Sequence, residues 1–377
     1  MRKKIYQRFL ITFIFSVGIL LGFIMVFNFF VDPGNEFFHG AVIERKMAQA
    51  LLQNKSVIVQ SNYNERLLQK MMLQKLSFQP DILIFGSSHI MPLTHTTFHT
   101  ARFFNASVSS ASLQDDMALY SILQKRGFQP KVVIICLDPW IVSKSNPQQL
   151  WKSEYRKEYQ EISKLIIKNQ GIESLALINQ MINFFEKYLQ LLSSAYLESS
   201  INKFKHHIKS KNNQDMLEDV MTLDSKREVC SNCFIRQPDG ARLPTPAEEA
   251  MTSSDSNLYV MNHINSWKDF WTESTLSSSY AFIFDRFIQY LLKQGVEVVF
   301  YFPPLQPLEY NQVVKNNQNY QMVFVAEKYF QMVAKKYQLK TIGAYDPAQV
   351  HLSAADFIDN WHLKKEGIKK IFNLSYG

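Results

Sequence analysis

The stretch Ile82–Leu93 reads "ILIFGSSHIMPL". Four apolar residues stop at a glycine, and two serines and a histidine follow at once. A short unbroken apolar run that ends at glycine reads as a strand buried on both faces, as in parallel sheets. In such sheets ligands bind beyond the carboxyl ends of the strands. Gly86, Ser87, Ser88 and His89 stand at that end. The stretch therefore offers either a plain turn or a displayed hydroxyl nucleophile.

The same rhythm recurs outward from it. Strands are expected at about 81–85, 101–104, 132–137, 296–302 and 339–343. Helical spacing fills the intervals. Residues 41–78 read as one helix, carried by Leu67, Leu68, Met71, Met72, Leu73 and Leu76. Leu113–Lys125 has Asp115 and Asp116 near its start, where acids suit the helix dipole. Ser277–Gln294 ends at Gly295, a residue suited to a C-cap. Tyr320–Tyr337 follows, and a terminal helix begins near Ile368. Right-handed crossovers place such helices on both faces of one sheet. The expected fold is α/β: three layers, α/β/α, around a five-stranded parallel, flavodoxin-like sheet.

Residues 150–257 break the rhythm. Leu175, Ile178, Met181, Ile182, Phe185 and Leu189 form an amphipathic stripe, and a polar stretch with Cys230, Cys233 and "QPDGARLP" follows. This block reads as a helical and loop insertion.

Phe9–Val31 holds 23 residues without a charge, and about 20 suffice to cross the hydrocarbon core. Arg2, Lys3, Lys4 and Arg8 precede it, while Asp32 and Glu36 follow. The positive-inside rule then leaves residues 1–8 in the cytoplasm and residues 32–377 on the far side. The run exceeds the apolar core of a cleaved signal peptide, and no small-x-small site follows it. The expectation is a single-pass, N-in protein of the inner or cytoplasmic membrane, anchored by residues 9–31. Its body faces the periplasm or cell exterior.

Hydrophobic residues make up 46% of the chain, with only 12 Gly and 13 Pro, which excludes a low-complexity or disordered class. The net charge is +8, but the basic residues are scattered. The one dense block after the anchor, Lys203–Lys211, has no glycine-rich loop beside it and reads as a solvated face. No nucleic-acid partner is expected. Cys136 sits in an apolar run and reads as a small buried hydrophobe. Cys230 and Cys233 suit a local disulfide in an oxidising compartment. A zinc half-site there lacks a second ligand pair in the usual order, so no metal or other cofactor is expected.

A serine nucleophile needs a base within hydrogen-bond reach, and the base needs an orienting group. Among nine histidines, His362 stands apart in "DFIDNWHLKKEG", with Asp359 three residues before it. Asp-x-x-His on one loop can set a carboxylate against the imidazole of the same segment. The competing reading is a capped helix start with an incidental histidine.

Taken together, these blocks resemble the SGNH/GDSL hydrolase superfamily. Gly86-Ser87-Ser88 corresponds to its Gly-Asp-Ser block, with Ser87 in place of the acid. "NASVSSAS", Asn105–Ser112, corresponds to the second block, with Ser110 at the glycine. Asp359 and His362 correspond to the last. The resemblance covers roughly residues 78–140 and 290–372. With the anchor, the "VDP" after it and "FYFPP", it points to a membrane-anchored bacterial subgroup whose relatives act in O-acylation or deacylation of cell-envelope polymers. It implies Ser88 as nucleophile, His362 as base and Asp359 as its orienting acid. The backbone N–H groups of Ser88 and Ser110 would receive the oxyanion.

The third block departs from the pattern. The superfamily places Gly-x-Asn-Asp there and uses the Asn as an oxyanion donor. This chain has "CLDPW", Cys136–Trp140. An ionised Asp138 facing the oxyanion would repel it. His89 and Asn146 are the candidate replacements. Ser87, His89, Asp138 and Trp140 are expected to line the substrate; Trp140 and Tyr301 either face a sugar cleft or belong to the core. Two functions follow from the resemblance. One is a serine esterase or O-acyltransferase acting on acyl, chiefly acetyl, esters, with a cell-envelope glycan or acyl donor as partner. The other is a catalytically inactive accessory or glycan-binding scaffold working with a multi-spanning acyltransferase.

Overall fold

A computed structural model of the chain describes residues 2–32, 41–59, 63–98, 102–144, 148–167, 188–194, 196–198, 200–201, 204–205, 220–222, 229–263, 272 and 274–376. By packing, the chain divides into two units. One comprises Met1–Arg45, Ser61–Asn64 and Gln170–Asp219; the other comprises Lys46–Gln60, Glu65–Asn169 and Val220–Gly377.

The first unit carries helix α1 (Arg2–Val31). Its stretch Tyr6–Val31, with a mean hydropathy of 2.7, is long and apolar enough to cross a membrane. Two polar side chains near its end make hydrogen bonds within this unit. The Asn28 amide donates to the Leu191 carbonyl at 2.7 Å. The Tyr196 hydroxyl donates to Asp32 Oδ1 at 3.1 Å.

The next elements, in chain order, are α2 (Val42–Leu52), β1 (Val57–Val59), α3 (Glu65–Lys75), β2 (Ile82–Phe85), β3 (Phe103–Asn105), α4 (Leu113–Lys125) and β4 (Val132–Cys136). Then come α5 (Trp151–Glu154), α6 (Arg156–Ile166), β5 (Val220–Thr222), β6 (Phe234–Arg236), β7 (Arg242–Leu243), α7 (Ser253–His263) and α8 (Ser278–Lys293). The chain closes with β8 (Glu297–Phe302), α9 (Pro307–Lys315), α10 (Gln321–Tyr337), β9 (Lys340–Gly343) and α11 (Lys365–Tyr376).

The fold is α/β around a five-stranded parallel sheet of order β3-β2-β4-β8-β9. The chain leaves β2 for β3 on one side and returns for β4 on the other. The order therefore reverses between β2 and β4, the position where α/β sheets open a crevice. Ser88 follows β2 and Asp138 follows β4. Apolar runs make these strands because both faces are covered. Ile84, Ile134, Val299 and Ile342 share one cluster with Ile368, Ile371 and Phe372 of α11. On the other parity, Phe300 meets Phe284 of α8 at 5.7 Å between ring centroids, and Phe302 meets Phe330 of α10 at 6.4 Å.

Two expectations need correction. The strand expected at 101–104 runs from Phe103 to Asn105 and so brings Asn105 into the sheet. Residues 41–78 are not one helix: α2 stops at Leu52, Asn54 takes a left-handed φ of 62°, and Val57–Val59 forms a buried strand. Three consecutive β-branched side chains suit a strand. The helical spacing at Leu68, Met72 and Leu73 belongs to α3 alone.

β1 is the centre of a second, antiparallel sheet of order β5-β1-β6-β7, so segments of the expected insertion pair with a strand that precedes β2. The apolar stripe from Leu175 to Phe185 lies outside the described residues, as does most of Lys203–Lys211. Cys230 and Cys233 form a disulfide with Cα atoms 5.3 Å apart. Cys136 is fully buried, and burial pushes its thiol pKa far up.

Candidate active site

The turn after β2 depends on Gly86. Its φ is 134°, and a Cβ there would lie 2.3 Å from the Cβ of Cys136 on β4. Only glycine lets the chain swing out while pressed against the neighbouring strand. Ser87 then points inward, fully buried, and its Oγ accepts from the His89 N–H at 3.2 Å. Ser88 is half-buried and faces outward.

Asn105 holds the chain that follows Ser88. Its Nδ2 contacts the carbonyls of Ile90, Met91 and Leu93 at 2.9, 3.3 and 3.0 Å. Its Oδ1 accepts from the backbone N–H and the hydroxyl of Ser107 at 3.1 and 2.5 Å. Gln69 of α3 donates to the carbonyls of Asn105 and Ser107, at 3.1 Å each. The second loop runs beside the first: Val108 N–H donates to the Gly86 carbonyl at 3.0 Å. Two residues on, Ser110 has a left-handed φ of 50°, the conformation a glycine supplies without strain. Among the described residues, the N–H groups of Ser88 and Ser110 have no hydrogen-bond acceptor.

His362 arrives on a tight turn closed by the bridge between Phe357 and Leu363. Asp359 Oδ1 accepts from the N–H groups of Trp361 and His362, both at 2.8 Å. Its Oδ2 meets His362 Nδ1 at 2.8 Å. Across the crevice, His362 Nε2 lies 2.8 Å from Ser88 Oγ. A carboxylate only accepts, so Nδ1 carries the ring proton and Nε2 presents a lone pair to the hydroxyl. Burial works to raise the Asp359 pKa, but the His362 ring and the turn's hydrogen bonds prevail and hold it at about 2. Burial works to lower the His362 pKa, and the Asp359 charge and hydrogen bond overcome it and raise it. The imidazole is thereby made a better proton acceptor.

Ser88, Asp359 and His362 border an open cleft. Its other walls include Met91, Arg242, Pro244 and Glu248. The last three come from the inserted segment. That segment is tied down by Arg242 N–H donating to the Met91 carbonyl at 3.1 Å and Asn105 N–H donating to the Asp239 carbonyl at 2.7 Å. Gly240 lies close enough that a Cβ would sit 2.2 Å from the Asn105 carbonyl oxygen. Beneath it, Arg236 is 1% exposed and bonds Glu65 at 2.7 Å. Sequence reasoning missed this wall, because nothing local marks a polar hairpin as a neighbour of residue 88. Asn105 carried a signal: a polar residue closing an apolar strand.

The four residues expected to line the substrate divide differently. Ser87 and Asp138 are fully buried and lie below the cleft. Asp138 Oδ1 meets His89 Nδ1 at 2.6 Å. His89 is 7% exposed, with its ring 5.2 Å from that of His362 and 5.6 Å from that of Trp140. The Trp140 indole donates to the Ala111 carbonyl at 2.9 Å. Tyr301 is fully buried in the core. Asn146 lies outside the described residues. His95 meets Asp239 through its Nδ1 at 2.7 Å. Among the described residues, no group of three or more His, Cys, Asp or Glu is placed to hold a metal ion.

No family model matches the chain, and no curated protein matches its sequence.

Proposed function

We propose that the chain is an SGNH-type serine esterase or O-acyltransferase acting on acyl, chiefly acetyl, esters of a cell-envelope glycan. The observation that carries the reading is the chain of contacts from Ser88 Oγ to His362 Nε2 and from His362 Nδ1 to Asp359, each 2.8 Å. The parallel strands taken alone run 2-1-3-4-5, the order of flavodoxin-like sheets, which supports the three-layer reading. Helix α1 anchors the protein with residues 1–8 inside, and the catalytic body faces the periplasm or cell exterior. The basic residues before the apolar stretch and the disulfide in the body support this orientation.

In the proposed reaction Ser88 Oγ attacks the ester carbonyl carbon and its proton passes to His362 Nε2. The carbonyl π pair moves onto oxygen, facing the N–H groups of Ser88 and Ser110. The intermediate collapses, the C–O bond to the leaving alkoxide breaks, and that oxygen takes the proton from His362. Water or a sugar hydroxyl then attacks the acyl-Ser88 ester and gives its proton to the imidazole. Collapse returns that proton to Ser88. Asp359 stabilises the imidazolium in both halves.

A second reading is an inactive accessory or glycan-binding scaffold for a multi-spanning acyltransferase. It is favoured by one observation: an acid, Asp138, stands where the resemblance calls for an amide donor. A fluorophosphonate probe on the full chain in detergent separates the two. The enzyme reading expects labelling that Ser88→Ala abolishes and Ser87→Ala leaves in place. An unlabelled, folded wild type would establish the scaffold instead.

A further inference from the structure

We infer that Arg242 is an anion-binding residue of the cleft, so that the substrate carries a carboxylate or phosphate group along with its ester. The inference deepens the serine-acyl reading above, on which it rests, by naming the charge of the substrate. Arg242 borders the cleft together with Ser88, Asp359 and His362, and its side chain is 26% exposed. Its backbone is fixed to the turn after Ser88 through the N–H bond to the Met91 carbonyl at 3.1 Å. Its guanidinium lies over the Phe234 ring, 4.4 Å from the centroid. Stacking of this kind holds the planar fork without using its N–H groups. Among the described residues, those side-chain N–H groups donate no hydrogen bond.

The local charges leave this guanidinium over. The acid facing it is Glu65, with Arg242 Nη1 3.9 Å from Oε1, beyond hydrogen-bond length. Glu65 is already served: its Oε1 accepts from Arg236 Nη2 at 2.7 Å and its Oε2 from the Ser109 N–H at 2.6 Å. Burial works to raise the Glu65 pKa, but the charges of Arg236 and Arg242 and the Ser109 bond prevail and lower it. One carboxylate thus faces two guanidiniums, and Arg236 holds the shorter contact. Glu248 also lines the cleft, but its Oε2 accepts from the Thr245 N–H at 2.7 Å and caps the short helix Pro246–Glu249. It makes no ion pair with Arg242 among the described residues. The charge of Arg242 reaches His362, as does that of Glu248 with opposite sign, so the guanidinium acts at the reacting end of the cleft. Open guanidinium N–H groups offer parallel donors to two oxygens of a carboxylate or phosphate. A neutral hydroxyl would take one donor and leave the charge unanswered.

Acetate release by the full chain in detergent tests this on three esters: acetylated methyl glucuronide for the carboxylate, acetylated glycerol phosphate for the phosphate, and acetylated methyl glucoside as the neutral control. Wild type is expected to favour one of the charged esters in kcat/KM, chiefly through KM, and the favoured one names the anion. Arg242→Gln is expected to cut the charged-to-neutral ratio by roughly tenfold or more, the scale of a charge-assisted hydrogen bond, and Arg242→Lys to keep part of it. Melting temperature is the fold control. Inhibition of the wild type by free glucuronate or inorganic phosphate, weakened by added salt, gives a reading that needs no variant. A wild type indifferent to charge would overturn the inference, as would an Arg242→Gln that loses equally on charged and neutral esters. Acetate release from none of the three would count against the serine-acyl reading. Titration calorimetry with a glucuronate oligosaccharide and with inorganic phosphate then judges Arg242 separately. Binding that Arg242→Gln abolishes would uphold the anion site, and a wild type that binds neither would end it.

Discussion

Glu309 offers the sharpest thermodynamic test of how the histidine turn is held. It lies in α9, is 1% exposed, and its Oε2 accepts from Asn360 Nδ2 at 2.7 Å. Asn360 stands between Asp359 and Trp361, and its carbonyl accepts from Gln306 N–H at 3.0 Å. Burial pushes the Glu309 carboxyl up to about 7, and the Asn360 bond offsets only part of that. An acid whose folded pKa is raised binds its proton more tightly in the native chain. Between its ordinary value of 4.5 and about 7, the native chain holds a proton the unfolded chain has lost, so stability falls as pH rises through that window. The integrated effect is about 3 kcal/mol. Glu309→Gln mimics the protonated acid at all pH values. Urea unfolding of the full chain in detergent, followed by tryptophan fluorescence, is the assay. At acid pH the variant and wild type are expected to match within about 0.5 kcal/mol, and above neutrality the variant gains about 3 kcal/mol on wild type. A difference that stays constant with pH would refute the reasoning, because it would mean that Glu309 is not protonated in the folded chain.

Asp359→Asn is expected to fold and to lose on the order of 10⁴-fold in kcat for acetyl-ester turnover, by holding the wrong tautomer of His362. The depressed Asp359 pKa also stabilises the fold above the ordinary carboxylate value of 3.8, and about 2 kcal/mol is lost as pH falls toward 2. An acid titration of Asp359→Asn is expected to lack that component. Ser110→Gly removes a side chain from a left-handed φ of 50° and leaves the backbone donor in place. Turnover is expected to persist, with stability raised by about 1 kcal/mol in chemical denaturation. Gly86→Ala meets the Cys136 Cβ at 2.3 Å with φ at 134°, and is expected to abolish soluble folded protein, as read by expression and melting. A folded, active Gly86→Ala would show that β2 and β4 do not approach as described.

The amino-acid sequence by itself determined the strand–helix rhythm, the membrane-spanning candidate and the Asp-x-x-His turn. Each is written in local periodicity or short spacing, which one chain segment expresses alone. Unbroken apolar runs such as "VVIIC" can only be satisfied by burial on two faces, so a parallel sheet follows directly. The meeting of Ser88, His362 and Asp359 was legible for a related reason: Asp359 and His362 lie three residues apart, and Ser88 follows a strand-ending glycine. Tertiary structure alone decided the rest. The pairing of β1 with β5 and β6 joins segments far apart in the chain, and three-residue strands carry too little periodicity to announce it. The cleft wall of Arg242, Pro244 and Glu248 depends on where that hairpin lands. The orientation of Asp138 depends on which imidazole the crevice brings to it. A side chain's charge is readable in one dimension; the partner that holds it exists only in three.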